Sequence, residues 1–283
     1  MLGSEVRRLF EADGQEVVCT DRAVDITEMP VVLSFATQHR PEWIINCAAY
    51  TAVDQAESEP ENARALNVTG PRNLARVADV LGSRLIHIST DYVFDGTAAE
   101  QYRPEDPPSP LGVYGRTKAD GELVVAQETR RHIIIRTSWL YGQYGKNFVT
   151  TMLRLMKERG TVRVVNDQWG SPTFARDLGS AILRIIKTFA NSPRTNLYGI
   201  YHYTNEGKIN WYEFACEIAR QAQERKILVS SVTVEPIPSS EFPARAPRPA
   251  NSKLNTEKIQ RVFDVPLVPW KSSLARFFDE AYR

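Results

Sequence analysis

Two short blocks carry residues that could do chemistry together: Ser89-Thr90-Asp91-Tyr92-Val93-Phe94-Asp95-Gly96 and Tyr114-Gly115-Arg116-Thr117-Lys118. The first sets a hydroxyl at the end of an apolar strand. The second sets a tyrosine and a lysine one helical turn apart, and residues i and i+4 share a helix face. Phenol and ammonium can therefore address one site. A free phenol titrates at about pH 10, and a neighbouring cation favours its ionised form. A tyrosine so placed can pass its proton to a developing alkoxide and recover it from solvent. That is the apparatus for reducing a ketone with a hydride. The bare Tyr-x-x-x-Lys spacing is a common accident in a chain with eleven tyrosines, so the weight falls on its context.

That context is a sheet. Arg84-Leu85-Ile86-His87-Ile88-Ser89 reads as a buried parallel strand, and the polar residues begin where it ends. Ligands of open α/β sheets bind outside the carboxyl ends of the strands. Further strands are expected at 16–20, 43–48 and 132–136, and helices at 30–39, 60–81, 114–128, 148–158, 176–189 and 211–225. Strands alternating with helices imply right-handed crossovers and a Rossmann-like, doubly wound parallel α/β sheet. After Tyr141 the alternation weakens, and prolines gather between Pro236 and Pro249. The expected division is a dinucleotide-binding domain at 1–142, joined by parts of 174–204, and a smaller, loop-rich α/β substrate lobe mainly at 143–283.

Composition narrows the classes. The 283 residues are 42% hydrophobic and 24% charged, with a formal net charge of +1. Such a balance makes no electrostatic case for nucleic acid or a membrane surface. No apolar run approaches the roughly 18 residues of a membrane span, and no signal peptide opens the chain. Cys19, Cys47 and Cys216 are an odd, scattered set, with Cys19 and Cys47 read as small hydrophobes inside strand-like runs. The expectation is no disulfide, no metal site and a reducing cytoplasm. His39, His87, His132 and His202 form no ligand-spaced cluster and read as satisfied structural residues.

Blocks along nearly the whole length add up to a resemblance. They are Asp25-Ile26-Thr27, Asn46-Cys47-Ala48-Ala49-Tyr50-Thr51-Ala52-Val53-Asp54, Glu57-Ser58-Glu59-Pro60, Asn67-Val68 and the two blocks above. Further on come Arg136-Thr137-Ser138-Trp139-Leu140-Tyr141-Gly142, Asn166-Asp167-Gln168-Trp169-Gly170-Ser171-Pro172-Thr173, Arg248-Pro249-Ala250-Asn251-Ser252 and Leu254-Asn255-Thr256. The chain resembles the dTDP-4-dehydrorhamnose reductases, within the extended short-chain dehydrogenase/reductases. The Tyr-x-x-x-Lys pair is shared by that whole superfamily. The Arg-Thr-Ser-Trp and Asn-Asp-Gln-Trp-Gly blocks are narrower, and favour this reductase over a nucleotide-sugar epimerase.

The resemblance implies reduction of the 4-keto group of dTDP-4-dehydro-L-rhamnose to dTDP-L-rhamnose by NADPH or NADH, for a cell-surface polysaccharide. Tyr114 would protonate the oxygen, Lys118 would lower the phenol's pKa and hold the nicotinamide ribose, and Thr90 would donate a hydrogen bond to the same oxygen. On the cofactor side it points to Gly3, Asp25, Ile26, Ala48, Ala49, Tyr50 and Thr51. Asp21 suits the ribose 2′-OH of NAD and Arg22 the phosphate of NADP, so both dinucleotides stay open. Tyr92 and Trp139 resemble sugar-pocket residues. Asn147, Trp169 and Arg248 would face the nucleotide, Arg248 with Arg245 close by in a proline-rich loop. Some members of the resembled family form metal-bridged dimers, so the resemblance leaves a homodimer open, but no acidic cluster here is specific enough to claim a bridging Mg2+. The alternative from another class is a noncatalytic subunit like the regulatory subunit of methionine adenosyltransferase. Retention of Thr90, Tyr114 and Lys118 favours the enzyme.

The resembled family opens with a strand and a Gly-x-x-Gly-x-x-Gly turn that brings N–H groups to the cofactor pyrophosphate at a helix N-terminus. Met1-Leu2-Gly3 matches the last glycine of that turn. The expectation is a chain without the first strand, through a misassigned start or a truncation. That strand belongs in the middle of the sheet, so its neighbours would hold unpaired backbone groups at about 1–3 kcal/mol each. This reading predicts weak NADPH binding by the present chain. Calorimetric titration checks it, and tight binding would contradict it.

Overall fold

Strands and helices alternate through the first half of the structure, a computed structural model that describes residues 1–191 and 197–282. The chain runs through α1 (Leu2–Ala12), α2 (Met29–His39), β1 (Trp43–Asn46), α3 (Val53–Ala56), α4 (Pro60–Arg64), α5 (Gly70–Leu81), β2 (Arg84–Thr90), α6 (Val113–Glu128) and β3 (His132–Thr137). It continues through β4 (Leu140–Tyr141), α7 (Phe148–Arg159), β5 (Thr161–Val165), β6 (Trp169–Gly170), β7 (Thr173–Phe174), α8 (Ala175–Asn191) and β8 (Gly199–His202). Last come β9 (Ile209–Asn210), α9 (Trp211–Glu224), β10 (Thr233–Ile237), α10 (Glu257–Phe263) and α11 (Trp270–Ala281).

The main sheet has the order β1-β2-β3-β8, all parallel. Its period-two alternation feeds two cores. Leu85 and Ile134 face one way, into Val32, Leu74, Ala75, Val77 and Val125 of α2, α5 and α6. Ile86, Ile133 and Ile135 face the other way, into Leu2, Val6 and Phe10 of α1 and Leu178, Ile182 and Ile185 of α8. Helices on both faces of a parallel sheet produce this two-sided burial. Helix α8, strand β8 and the later Ile259 and Phe263 of α10 all pack with the sheet. Positions 192–196, within the expected 174–204 contribution, lie outside the described residues.

A separate core gathers Tyr141, Val149, Leu153, Met156, Phe174, Phe214, Ile218, Leu274 and Phe277 beyond the carboxyl edge. Short sheets β5–β10, β4–β7 and β6–β9 stiffen it. Among the described residues no helix is long and apolar enough to cross a membrane.

Two expected elements differ. Residues 16–20 form no strand, and Cys19 is exposed rather than buried. A strand needs a neighbour to receive its hydrogen bonds. Here β1 is the edge of the sheet, with no strand of the described residues on its outer side. The expected helix over 60–81 is interrupted by a π-helical turn at Ala65–Thr69. Pro71 stands four residues after Asn67 and has no N–H to give its carbonyl. The freed carbonyl lies against α6, where a Cβ on Gly121 would come 2.1 Å from Asn67 O.

Only a glycine fits that crossing of two backbones. Gly121→Ala is expected to lower stability by about 1–3 kcal/mol, as overpacking does, and urea unfolding measures it. An unchanged midpoint would mean that the bulge and α6 part at no cost.

Candidate active site

Thr90 ends β2 in extended backbone and caps the short 3-10 turn at Asp91–Val93, its Oγ1 accepting from Tyr92 N at 3.2 Å. The same hydroxyl donates to Asp91 Oδ1 at 2.9 Å. Helix α6 starts close by, where Glu57 Oε1 accepts the Val113 N–H at 2.7 Å. Gly115 lets its first turn touch the Tyr92 carbonyl, since a Cβ there would lie 2.2 Å from that oxygen. This brings the Tyr114 phenol to the Thr90 hydroxyl and its ring edge-on to Tyr92, at 5.4 Å between centroids. One turn later Lys118 is buried at 2% exposure, its Nζ donating to Ile88 O at 2.6 Å. The structure thus brings Thr90, Tyr114 and Lys118 together.

Burial governs their protonation. It pushes the Tyr114 phenol well above its ordinary value; the Thr90 hydrogen bond opposes this and the charge of Asp91 adds to it. Burial draws Lys118 down to about 8, against the pull of Glu122. The expected depression of the phenol by Lys118 is therefore not what the structure holds: desolvation of the phenolate raises it, and the charges that bear on it are those of Asp91 and Tyr92. The Thr90 hydroxyl is shared between Asp91 Oδ1 and the Tyr114 phenol.

A buried ion pair locks the helix to the sheet. Glu122, one turn past Lys118, accepts from Ser89 Oγ at 2.5 Å and from Arg136 Nε and Nη2 at 2.9 and 2.7 Å. Arg136 lies over the Phe94 ring at 4.9 Å and reaches Pro104 O at 3.3 Å. Breaking such a pair by removing one partner costs about 3–5 kcal/mol.

Of the expected substrate residues, Tyr92 lies beside Tyr114, and burial pushes its phenol up to about 12. Arg248 packs over the Tyr92 ring at 5.8 Å and donates to Asp54 Oδ2 at 2.6 Å, while its Nη1 is buried with no partner. Asp54 also accepts the N–H groups of Arg245 and Ala246, which pins the proline-rich loop. Trp139 holds a left-handed backbone (φ 49) and stacks on Trp211 with ring centroids 3.6 Å apart. Trp169 exchanges backbone hydrogen bonds with the segment at Ala250 and Ser252, and Lys208 lies over its ring. Asn147 departs from expectation. It is the N-cap of α7, accepting from Thr150 N and donating to Gly142 O at 2.7 Å, so its amide is spent on the fold.

The expected cofactor positions form a second group. Ile26 packs against Gly70, and Asn73 of α5 donates to Ile26 O and Thr27 O. Tyr50 N donates to Asn67 Oδ1. The 25–27 and 48–51 segments therefore converge on the start of α5, with Ala48 and Thr51 exposed. Asp25 receives the Thr27 N–H and hydroxyl, and Asp21 the Ala23 N–H; both acids are exposed, as is Arg22. No side chain caps the first N–H groups of α1, where Gly3 is exposed beside Cys47 at the carboxyl end of β1. Free N–H groups at a helix start beyond a parallel sheet fit the pyrophosphate of a dinucleotide. Among the described residues no three His, Cys, Asp or Glu side chains cluster as metal ligands do, so a bridging Mg2+ has no ligand set within the described chain.

Sequence reasoning passed over Asp91, Glu122 and Asn46. Glu122 stands four residues after Lys118, a spacing that marks a shared helix face, and Asp91 sits inside the 89–96 block itself. Asn46 ends a strand and opens the 46–54 block.

The family model described as RmlD substrate binding domain matches residues 1–283. A dTDP-4-dehydrorhamnose reductase of Aggregatibacter actinomycetemcomitans is 42% identical over 275 residues, covering 96% of this chain and 93% of the relative. The crystal structure of a dTDP-4-dehydrorhamnose reductase from Bacillus anthracis in complex with NADP superposes with a TM-score of 0.90 at 40% identity, over 99% of this chain and 95% of that one. An orthologous structure from Clostridium acetobutylicum gives 0.92 at 38% identity, over 100% and 96%.

Asp91 offers a test of the site's electrostatics. Burial pushes its carboxyl up to about 6, opposed by hydrogen bonds from Ser252 and Thr90, and Oδ2 has no partner. The folded pKa is raised, so the stability held by the neutral acid is full below about pH 4 and lost as pH climbs through about 6. Asp91→Asn removes that titration. Its stability relative to the parent is expected to rise by about 2 kcal/mol between pH 4 and pH 7, read by urea unfolding at both. Parallel profiles would contradict the burial of a titrating acid.

Proposed function

This chain belongs to the dTDP-4-dehydrorhamnose reductases of the RmlD substrate binding domain family, and from that premise we propose how its residues carry out the reaction. The enzyme reduces the 4-keto group of dTDP-4-dehydro-L-rhamnose, giving dTDP-L-rhamnose. NADPH, when bound, supplies the hydride to C4. The N–H groups at the start of α1, with Ile26, Ala48, Ala49 and Thr51, would hold the dinucleotide. Complex formation with NADP by the Bacillus anthracis relative supports the phosphorylated cofactor, and Arg22 is the exposed cation at hand.

Tyr114 gives its proton to the oxygen as charge develops there. A high phenol pKa keeps that proton on Tyr114 in the resting site, and the phenolate left after transfer is the form that the site must restore. Thr90, held by Asp91, orients the phenol. Tyr92 and Trp139 border the sugar, and the unpaired Nη1 of Arg248 suits a diphosphate oxygen. The same reading puts the enzyme in the cytoplasm, acting on a freely diffusing nucleotide sugar.

The convergence of Thr90, Tyr114 and Lys118 at the carboxyl end of β2 carries this reading. Decay of NADPH absorbance in the presence of dTDP-4-dehydro-L-rhamnose tests it directly. Tyr114→Phe keeps the ring and removes the proton, so kcat should fall by about 10²–10⁴ with substrate affinity unchanged by calorimetry. Near-parental kcat in that variant would take the acid role away from Tyr114.

A further inference from the structure

Lys118 meets an unusual neighbour. Besides the bond to Ile88 O, its Nζ lies 3.4 Å from His87 Nε2. On the far side of the ring, His87 Nδ1 is 3.0 Å from Asn46 Nδ2. The amide cannot be turned round, because Asn46 Oδ1 accepts the Ala48 N–H at 3.0 Å. The NH2 of Asn46 therefore faces the ring, and Nδ1 must accept. All three side chains are buried, His87 completely.

Burial, with the charges of Lys118 and His132 nearby, holds the imidazole neutral. A neutral ring carries one N–H, and with Nδ1 accepting, that N–H sits on Nε2 and points at Lys118. An ammonium there confronts a second donor, whereas an amine accepts through its lone pair. The opposite tautomer would relieve Lys118 only by setting Nδ1–H against the NH2 of Asn46. The other charge bearing on Lys118 is Glu122, and its carboxylate is already shared by Arg136 and Ser89.

We propose that Asn46 and His87 are a positioning pair that fixes the Nε2–H tautomer against Lys118, so that this lysine is a proton-releasing group and not a permanent cation. Position supports the assignment: His87 lies on β2 three residues before Thr90, on the face that α6 covers, and Asn46 occupies the matching place on β1. The downward displacement of Lys118 to about 8 agrees with it. The inference rests on the reductase reading for its consequence: the alkaline limb of kcat is set by Lys118 through His87.

The test begins with the resting chain. Long-range 1H–15N spectra of the 15N-labelled protein, with His87 assigned through His87→Gln, should show a protonated Nε2 and an unprotonated Nδ1 from pH 6 to 9. A protonated Nδ1 would overturn the proposal. This result stands whether or not the chain reduces the nucleotide sugar, so the two readings fail separately. Asn46→Asp keeps an acceptor for Ala48 and offers a second one to Nδ1. It should swap the tautomer and move the alkaline limb of kcat up by about one pH unit, a roughly tenfold gain above the limb, with KM unchanged. A swapped tautomer with an unmoved limb, or no swap at all, would overturn the coupling.

Discussion

A carboxylate in the interior, Glu122, is the joint on which the rest of the site turns. It ties α6 to β2 through Ser89 and to β3 through Arg136, with all three partners buried. Ser89 precedes Thr90, and Glu122 follows Lys118 by one turn, so a single ion pair registers the strand-end hydroxyl against the helix that carries phenol and lysine. A desolvated charge is tolerable only when its partner's geometry is good and its remaining lone pairs are used. Here they are. The same guanidinium lies on Phe94 and reaches Pro104, which holds the loop beyond the site in place.

Around that joint, removal of water sets the chemistry. Tyr114, Lys118, Asp91 and His87 are all displaced toward their neutral forms, and burial is the leading cause in each. Low polarity strengthens each hydrogen bond and makes each uncompensated charge costly. A site built this way holds the proton on the phenol at rest. The orphaned Oδ2 of Asp91 and Nη1 of Arg248 are the places where the protein leaves polar capacity unused. Buried groups without partners are uncommon in a settled interior, and both lie beside Tyr92.

Three of the sheet's four strands, the helix bearing Tyr114 and Lys118 and the helices α7, α8 and α9 were legible from periodicity, because continuous β-branched runs and i, i+4 patterns report burial directly; β8, α10 and α11 were not read. Residues 16–20 misled for the same reason: an apolar run promises a strand, but only a neighbouring strand can complete it. The π turn before Gly70 was equally hidden, since the Asn67 carbonyl that Pro71 leaves free is met by Gly121 on a different helix. Asn147 shows the limit for site residues. Its amide type suits a ligand, and only the fold reveals that capping α7 consumes it.

Residue types and local spacing were enough to single out the strand-end hydroxyl and the tyrosine–lysine pair as candidates for ketone reduction, since these depend on periods of two and 3.6 residues along one stretch of chain, and the longer motif blocks carried the family. The directions of the protons belonged to tertiary structure. That the Thr90 hydroxyl is shared between Asp91 and the Tyr114 phenol, that burial raises that phenol, and that Asn46 fixes the His87 tautomer against Lys118 all depend on which groups from distant segments are packed face to face without water. Local sequence carries no record of that distance, and desolvation and hydrogen-bond direction are decided only when the segments meet.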